Sequence, residues 1–368
     1  MVEAKKNVML FMAKVDRGGI ESLYLNLIPL LSNRYAFHVV YFLDGQCELA
    51  KDYLNMGCML YRISCSRYRH PIRFVNLIRS YIRSNAIEIV HSNVGYSTAF
   101  CLIAAYLEGV PIRIAHSHGS EFGDAANILN GMFGYLCKLA CHLLATSRVN
   151  VGEASRKALF FEKDRSVYVP NGIELKRFTF NPLDRQRVRR KLNISEGTLV
   201  AACVARLEAE KNHDFALQVV SDIKNLGGDI RFVIVGTGSL EDRLRDRANE
   251  LGIGSEVVFV GPTNEPEAYY SAADCLLMPS LHEGLSLSMI EAQANGLQCY
   301  TSTGVDSAVA ITERISFLPL SNGSEFWARQ IIVGPPRSTV RDIDKAFASF
   351  DCRRTADLID GLYRGRLG

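Results

Sequence analysis

From its first residues to its last third, the chain alternates short apolar runs with longer segments of helical periodicity. A strand covered on both faces reads as a near-continuous apolar run, and a helix must carry the chain back before the next parallel strand can pair. The pattern places strands at residues 8–12, 38–43, 59–63, 87–91, 112–116, 142–145 and 167–169, and a second series at 199–204, 232–235, 257–260, 275–278 and 299–301. Helices are expected at 20–31, 97–107, 211–226, 239–251 and 286–295. The prediction is an α/β protein with parallel sheets covered by helices on both faces.

The alternation restarts after VPNGIE (residues 169–174), whose Pro170, Asn171 and Gly172 are turn chemistry. With 368 residues there is room for two domains. We expect doubly wound domains at 1–172 and 173–368, with the last helix free to pack back on the first. The polar stretch 176–197 is expected to be the linker, and the strand C-terminal edges of both domains to line one cleft.

Composition narrows the class. At 48% hydrophobic and 22% charged residues the chain is an ordinary globular one. No apolar run approaches the roughly 20 residues that span a bilayer. The start MVEAKKNVMLFMAK lacks a cleavage site and reads as a first core strand. Ten scattered cysteines without a Cys-x-x-Cys pair point to reduced, buried thiols and a cytoplasmic protein. Net charge is +3, yet residues 1–168 hold 19 Lys+Arg against 13 Asp+Glu. Arg62, Arg67, Arg69, Arg73, Arg79 and Arg83 follow one another with no acid between them, several on an expected helix. That run suits anionic lipid or a pyrophosphate-linked acceptor, against the plainer reading of a solvated helix face. Nucleic acid is not indicated, because no binding motif accompanies the charge.

Chemistry concentrates in PSLHEGLSLSMIEAQAN (residues 279–295). A strand ends, a Glu-Gly turn follows, and a helix opens with a second carboxylate inside it. Free N–H groups and the positive end of the helix dipole there suit an anion, with Glu283 and Glu291 to accept hydroxyls. A phosphorylated sugar fits. Arg206 and Lys211 straddle another helix start and bring two cations to a site where negative charge develops. Gly18 and Gly19 open a helix after the first strand, and Gly236 belongs to a short GxG between strand and helix. His118 ends a strand beside Gly119, with His116 and His91 at neighbouring strand ends. Three such histidines admit a metal site, but no metal-ligand spacing accompanies them. Asp342-Ile343-Asp344 matches a metal-binding D-x-D by chance in a helical context.

In their order, GGIE (18–21), HSHG (116–119), ATS (145–147), VPNGIE, ARLEAEKNH (205–213), VGTGSLEDRL (235–244) and EGLSLSMIE (283–291) resemble the retaining GT-B glycosyltransferases of family 4. The segment FLPLSNGSEFWARQI (317–331) is similar to their capsular and exopolysaccharide branch. The resemblance implies a metal-independent transfer of a hexose or N-acetylhexosamine from a UDP-sugar to a glycan acceptor. That acceptor is expected to be polyprenyl-diphosphate-linked and to lie at the inner face of the cytoplasmic membrane, in capsule, exopolysaccharide or O-antigen synthesis. It implies that Arg206 and Lys211 neutralise the leaving diphosphate, that Glu291 accepts from the ribose, and that Glu283 meets the donor sugar beside the N–H groups of Gly284, Leu285 and Ser286. It further implies that Gly18 and Gly19 lie over the donor phosphates, that His118 contacts the sugar near the reacting carbon, and that Gly236 and Gly261 approach the nucleotide. No cofactor is expected.

Two departures stand out. Ala308 and Ala310 occupy a segment where relatives carry acids, leaving Asp306 as the nearby carboxylate. In the first domain only Glu121 offers a remote nucleophile, so a same-face substitution is implied, with the leaving phosphate taking the hydroxyl proton. A nucleotide-sugar epimerase or hydrolase on this scaffold, or a non-catalytic nucleotide-sugar-binding partner, is the alternative.

Overall fold

In the computed structural model, the described residues are 4–119, 128–338 and 343–367, so Glu121 and Asp342 lie outside them. The chain forms two compact units, residues 1–173 with 349–368, and residues 174–348.

The first unit is built on seven parallel strands: β1 (Lys6–Met12), β2 (Tyr35–Tyr41), β3 (Met59–Arg62), β4 (Ile89–Ser92), β5 (Ile112–Ser117), β6 (Ser147–Asn150) and β7 (Val167–Tyr168). Their order is β3-β2-β1-β4-β5-β6-β7. In β1 the run Val8–Met12 is wholly buried, with Val8, Leu10 and Met12 in one core and Met9 and Phe11 in the other. Alternate residues thus serve opposite faces, as strand geometry requires. The helix Gly19–Leu31 covers one face with Leu23, Tyr24, Leu27 and Ile28, while Pro71–Ser84 covers the other with Phe74, Ile78 and Ile82.

The chain's last helix, Cys352–Tyr363, belongs to this first unit and packs on Gly19–Leu31 through Ala356, Ile359, Leu362 and Tyr363. Arg34 and Tyr35 both reach Asp360, at 3.1 and 2.9 Å. Close approach of this helix explains the glycine in VPNGIE: a methyl group on Gly172 would lie 2.7 Å from the Cys352 Cα.

The second unit has six parallel strands: β8 (Leu199–Val204), β9 (Ile230–Val235), β10 (Val257–Gly261), β11 (Cys275–Met278), β12 (Gln298–Ser302) and β13 (Ile315–Leu318), ordered β10-β9-β8-β11-β12-β13. Both sheets reverse direction of winding once, between β1 and β4 and between β8 and β11. Loops leaving the strand C-termini at such a switch point diverge to opposite faces and leave room for a ligand.

Three expectations fail locally. Residues 142–145 are not a strand: the apolar run continues the helix Ile128–Leu144, whose Cys137 and Cys141 are buried one turn apart. The strand that follows, β6, reads SRVN and is masked by its polar letters. Strand β13 was not anticipated. The stretch 176–197 is not a linker, since it folds within the second unit as the helix Pro182–Lys191, capped by Asn181 Oδ1 at 2.9 Å from the Leu183 N–H. Its inward face uses guanidinium groups in place of aliphatic ones. Arg185 and Arg189 both hold Asp274 at 2.7 Å and cap the last carbonyls of the helix Pro266–Ala272.

Candidate active site

In the second unit the loops after β8 and β11, the two strands flanking the switch point, are stitched together. Leu281 N–H donates to Glu210 O (2.8 Å), the Asn212 side chain to Pro279 O (3.2 Å), and Ser288 Oγ to Val204 O (2.6 Å). Across this seam Lys211 Nζ meets Glu283 Oε1 at 2.5 Å, both side chains largely buried. Ser280 Oγ donates to the other carboxylate oxygen at 3.1 Å, and Glu283's backbone is fixed on both sides by Gly304 and Asp306. Buried pairing of this kind holds a cation and an anion in one geometry.

Immediately after Glu283 the backbone is open. Among the described residues, the N–H groups of Gly284, Leu285 and Ser286 donate to no protein acceptor, and a methyl group on Gly284 would touch nothing within 4 Å. The helix Leu287–Ala294 starts there. Four residues in, Glu291 accepts from Tyr270 OH at 2.8 Å. Burial pushes its carboxyl up to about 7, opposed by the Tyr270 hydrogen bond and by Arg177. A carboxyl raised on folding contributes stability that is complete below its ordinary value near 4.5 and is lost as pH rises through 7. Glu291→Gln removes that dependence. Its melting temperature relative to wild type should therefore be higher at pH 8 than at pH 5, and a difference constant across that range would contradict the assignment.

Arg206 is not part of the buried pair. It is exposed and held along its own loop by Glu210 at 2.9 Å. Gly236 and Gly238 have a packing reason to be glycine. Gly236 has φ +136°, and methyl groups on the two would run into the backbone of Ala205 and Leu207 on either side of Arg206. Gly261 has φ +80° and accepts from Gly236 N–H at 3.0 Å with open space beside it. Asp306 caps the turn that carries Ala308, accepting from its N–H at 2.9 Å.

In the first unit, Gly18 caps the helix Gly19–Leu31, but the chain's own buried Glu21 carboxylate lies so close to Gly18 that any side chain would strike it. The helix start expected to take a phosphate already faces a carboxylate. His118, following β5, belongs to a buried polar cluster. Its Nε2 lies 2.9 Å from Asn93 Oδ1, which also accepts from Tyr24 OH at 3.0 Å. His91 and His116 bond to each other at 3.0 Å, and Tyr363 OH lies 2.9 Å from His91 Nδ1. Burial lowers the pKa of all three histidines, those of His91 and His118 to about 3. Two imidazoles that spend nitrogens on one another do not converge on an ion, and no group of three metal-ligating side chains occurs among the described residues. Sequence reasoning missed Asn93, Tyr24, Tyr270 and Tyr363.

Half of the basic run is paired with distant acids. Arg62 pairs with Asp44, and Arg79 and Arg83 share Glu108 at 2.8 and 2.9 Å. Arg67 stacks on Phe42 and Tyr68. Arg69 and Arg73 remain, lining a shallow concavity with Ile72, which is 78% exposed. Among the described residues no helix is long and apolar enough to cross a membrane.

Two doubly wound parallel-sheet units define the GT-B class of glycosyltransferases. The fold matches that of Anabaena HepE solved with UDP and glucose, with a TM-score of 0.74 over 97% of this chain and 99% of that one, at 15% identity. Family models described as Glycosyltransferase Family 4 and Glycosyl transferases group 1 match residues 17–177 and 184–312. The chain belongs to this group 1, family 4 glycosyltransferase family. EpsF of Bacillus subtilis (strain 168), named as a glycosyltransferase, is 27% identical over 374 residues, 99% of this chain and 97% of its own. The UDP-Gal:alpha-D-GlcNAc-diphosphoundecaprenol alpha-1,3-galactosyltransferase of Escherichia coli is 26% identical over 230 residues, 60% of this chain and 59% of that one.

Proposed function

We propose that this glycosyltransferase moves a hexose or N-acetylhexosamine from a UDP-sugar to a polyprenyl-diphosphate-linked glycan, with retention and without a metal ion. The reading belongs to capsule, exopolysaccharide or O-antigen assembly at the inner face of the cytoplasmic membrane. The observation that carries it is the buried Lys211–Glu283 pair across the β8/β11 switch point, beside three unused N–H groups. Such a seam suits a diphosphate: the N–H groups donate to it, and Lys211 offsets charge as it leaves. Support for the donor and the acceptor's lipid comes from HepE, solved with UDP and glucose, and from the galactosyltransferase, whose name gives UDP-Gal and a diphosphoundecaprenol acceptor.

In the proposed reaction the sugar's C1–O bond to the diphosphate breaks as a bond from C1 to the acceptor oxygen forms on the same face. The acceptor's hydroxyl proton passes to the departing phosphate oxygen, so UDP leaves and no protein nucleophile is consumed. Glu291 accepts from the ribose hydroxyls, which its ionised form does better, so donor affinity is expected to rise between pH 6 and 8. Arg206 completes the phosphate's cationic surroundings by leaving Glu210, and Gly236 and Gly261 shape the nucleotide's bed. His118 contacts the transferred sugar.

A panel of nucleotide sugars read by thermal shift tests the donor, since a ligand at 100 times its dissociation constant stabilises by roughly 2.7 kcal/mol. UDP-sugars should raise the melting temperature and GDP- or ADP-sugars should not. Undiminished transfer in EDTA and an axial product linkage from an axial donor are expected. Loss of turnover in chelator that manganese restores would sink the metal-independent part.

For the acceptor's membrane, the reading narrows the basic run to Arg69 and Arg73 with exposed Tyr68 and Ile72. The double variant Arg69→Glu, Arg73→Glu should lose flotation with phosphatidylglycerol vesicles. Equal flotation of wild type and variant would remove the contact.

A further inference from the structure

Glu283 sits on the loop after β11, and β11 lies between β8 and β12 in the sheet. From the β8 side Lys211 holds its side chain. From the β12 side its backbone is held by the segment 304–312, a strap on the way from β12 to β13. Glu283 N–H donates to Gly304 O at 3.3 Å and Asp306 N–H to Glu283 O at 3.0 Å, a short parallel bridge outside the sheet. The approach is close, since a methyl group on Gly304 would strike the Leu281 carbonyl. Such a bridge fixes Glu283 only as firmly as the strap itself is fixed.

One side chain on the helix Leu287–Ala294 fixes it. Gln293 is fully buried, and both ends of its amide are in use. Its Nε2 donates to Val309 O at 2.8 Å and to Met289 O at 3.1 Å. Its Oε1 accepts from the Ile311 and Thr312 N–H groups at 3.3 and 3.1 Å and from Thr312 Oγ1 at 3.0 Å. Carbonyls at one end and donors at the other leave a single orientation of the amide. Between Gln293 and Glu283 the strap is stiffened by its own short bonds: Val309 N–H to Asp306 O, Ala310 N–H to Ser307 O, and Ala308 N–H to the Asp306 carboxylate. A buried polar network with its groups satisfied makes rigid whatever it joins. We propose that Gln293 is a positioning residue: it anchors the strap 304–312 to the helix Leu287–Ala294, and the strap in turn fixes the Glu283 backbone from the β12 side. The inference goes beyond the proposed reaction but rests on its reading that Glu283 meets the donor sugar.

Gln293→Met keeps the size of the side chain and removes these bonds. Amide hydrogens exchange as the unit that holds them opens. The N–H groups of residues 281–283 should therefore exchange at least about tenfold faster in this variant, although none of the Gln293 hydrogen bonds reaches them. A loss confined to the anchor would speed exchange at 305–312 alone. In transfer assays kcat should fall at least about tenfold, within the roughly hundredfold that a small misplacement can cost. Donor KM should change little, because Tyr270 and Glu291 lie off the strap. In a Glu283→Gln background the same substitution should cost little more, since residues that act through one another are non-additive. Thr312→Val deletes one of the donors to Oε1 and should show the same pattern in smaller measure. Wild-type exchange at 281–283 in Gln293→Met, or in Thr312→Val should the first not fold, overturns the proposal. So does a kcat loss that adds in full to that of Glu283→Gln, and both leave the reaction reading intact. Full transfer by Glu283→Gln would instead overturn the reading on which the proposal rests.

Discussion

Lys211→Ala should cut sugar transfer by roughly a thousand-fold, the scale seen when one preorganised donor is removed from a developing charge. The expectation follows from where the ammonium sits. Lys211 lies on the loop after β8, yet its partner is on the loop after β11, so the pair bridges the two strands at which the sheet reverses. Removing Lys211 takes away a cation and leaves the largely buried Glu283 carboxylate with Ser280 as its one side-chain partner among the described residues. Lys211→Arg should not restore the rate, because a planar guanidinium does not fill the position of a compact ammonium. Initial rates of acceptor-dependent UDP release measure the effect, with circular dichroism confirming the fold. Wild-type turnover in Lys211→Ala would sink the assignment.

Glu283 can be separated from Lys211 by a double-mutant cycle. If the carboxylate serves only to hold Lys211, then Glu283→Gln costs nothing more once Lys211 is alanine, since coupled residues are non-additive. If it also meets the donor sugar, as proposed, the second substitution lowers the rate again. The Ala308 and Ala310 turn bears on this. Asp306 N–H donates to Glu283 O at 3.0 Å, so the segment that lacks acids still fixes the Glu283 backbone.

How much of this was legible in the sequence depends on whether a residue's role has a period. Strands such as β8 and β11 are buried on both faces and announce themselves as LVAACV and CLLM. The loops that follow carry the candidate site, so Lys211 and Glu283 could be located before their contact was seen. Strand β6 and the helix Pro182–Lys191 were lost because polar side chains do inside work there. Asn150 is buried on Ser166, and Arg189 is buried among carbonyls and Asp274. Asn93 and Tyr270 were invisible for a different reason. Each acts through a single hydrogen bond to a residue that sequence reading had chosen, His118 or Glu291, and one polar residue at a strand end or inside a short helix leaves no pattern. The charge of the basic run could not be read from the run alone, because Asp44 and Glu108 reach Arg62, Arg79 and Arg83 from outside the stretch.

Gly236→Ala should destabilise the second unit and abolish the UDP thermal shift, although Gly236 need never touch the donor. Its φ of +136° is a conformation that L side chains rarely adopt, which alone costs on the order of 1–3 kcal/mol. The added methyl group would also run into the carbonyl oxygen of Ala205. Neither neighbour can yield cheaply. Ala205 N–H is bonded to Val235 O at 3.0 Å, Leu207 N–H to Thr237 O at 2.9 Å and Gly236 N–H to Gly261 O at 3.0 Å, so relief must move the segment that carries Arg206. A melting temperature lower by at least roughly 5 °C is expected. Gly284→Ala supplies the contrast. There φ is not positive and a methyl group meets nothing within 4 Å, so stability should hold or rise slightly. Transfer should nonetheless fall, because the methyl group would occupy space next to the N–H groups offered to the diphosphate. A Gly284→Ala enzyme that both melts and turns over like wild type would move the donor away from this turn. A Gly236→Ala enzyme with wild-type melting would remove the packing account of the GxG loop.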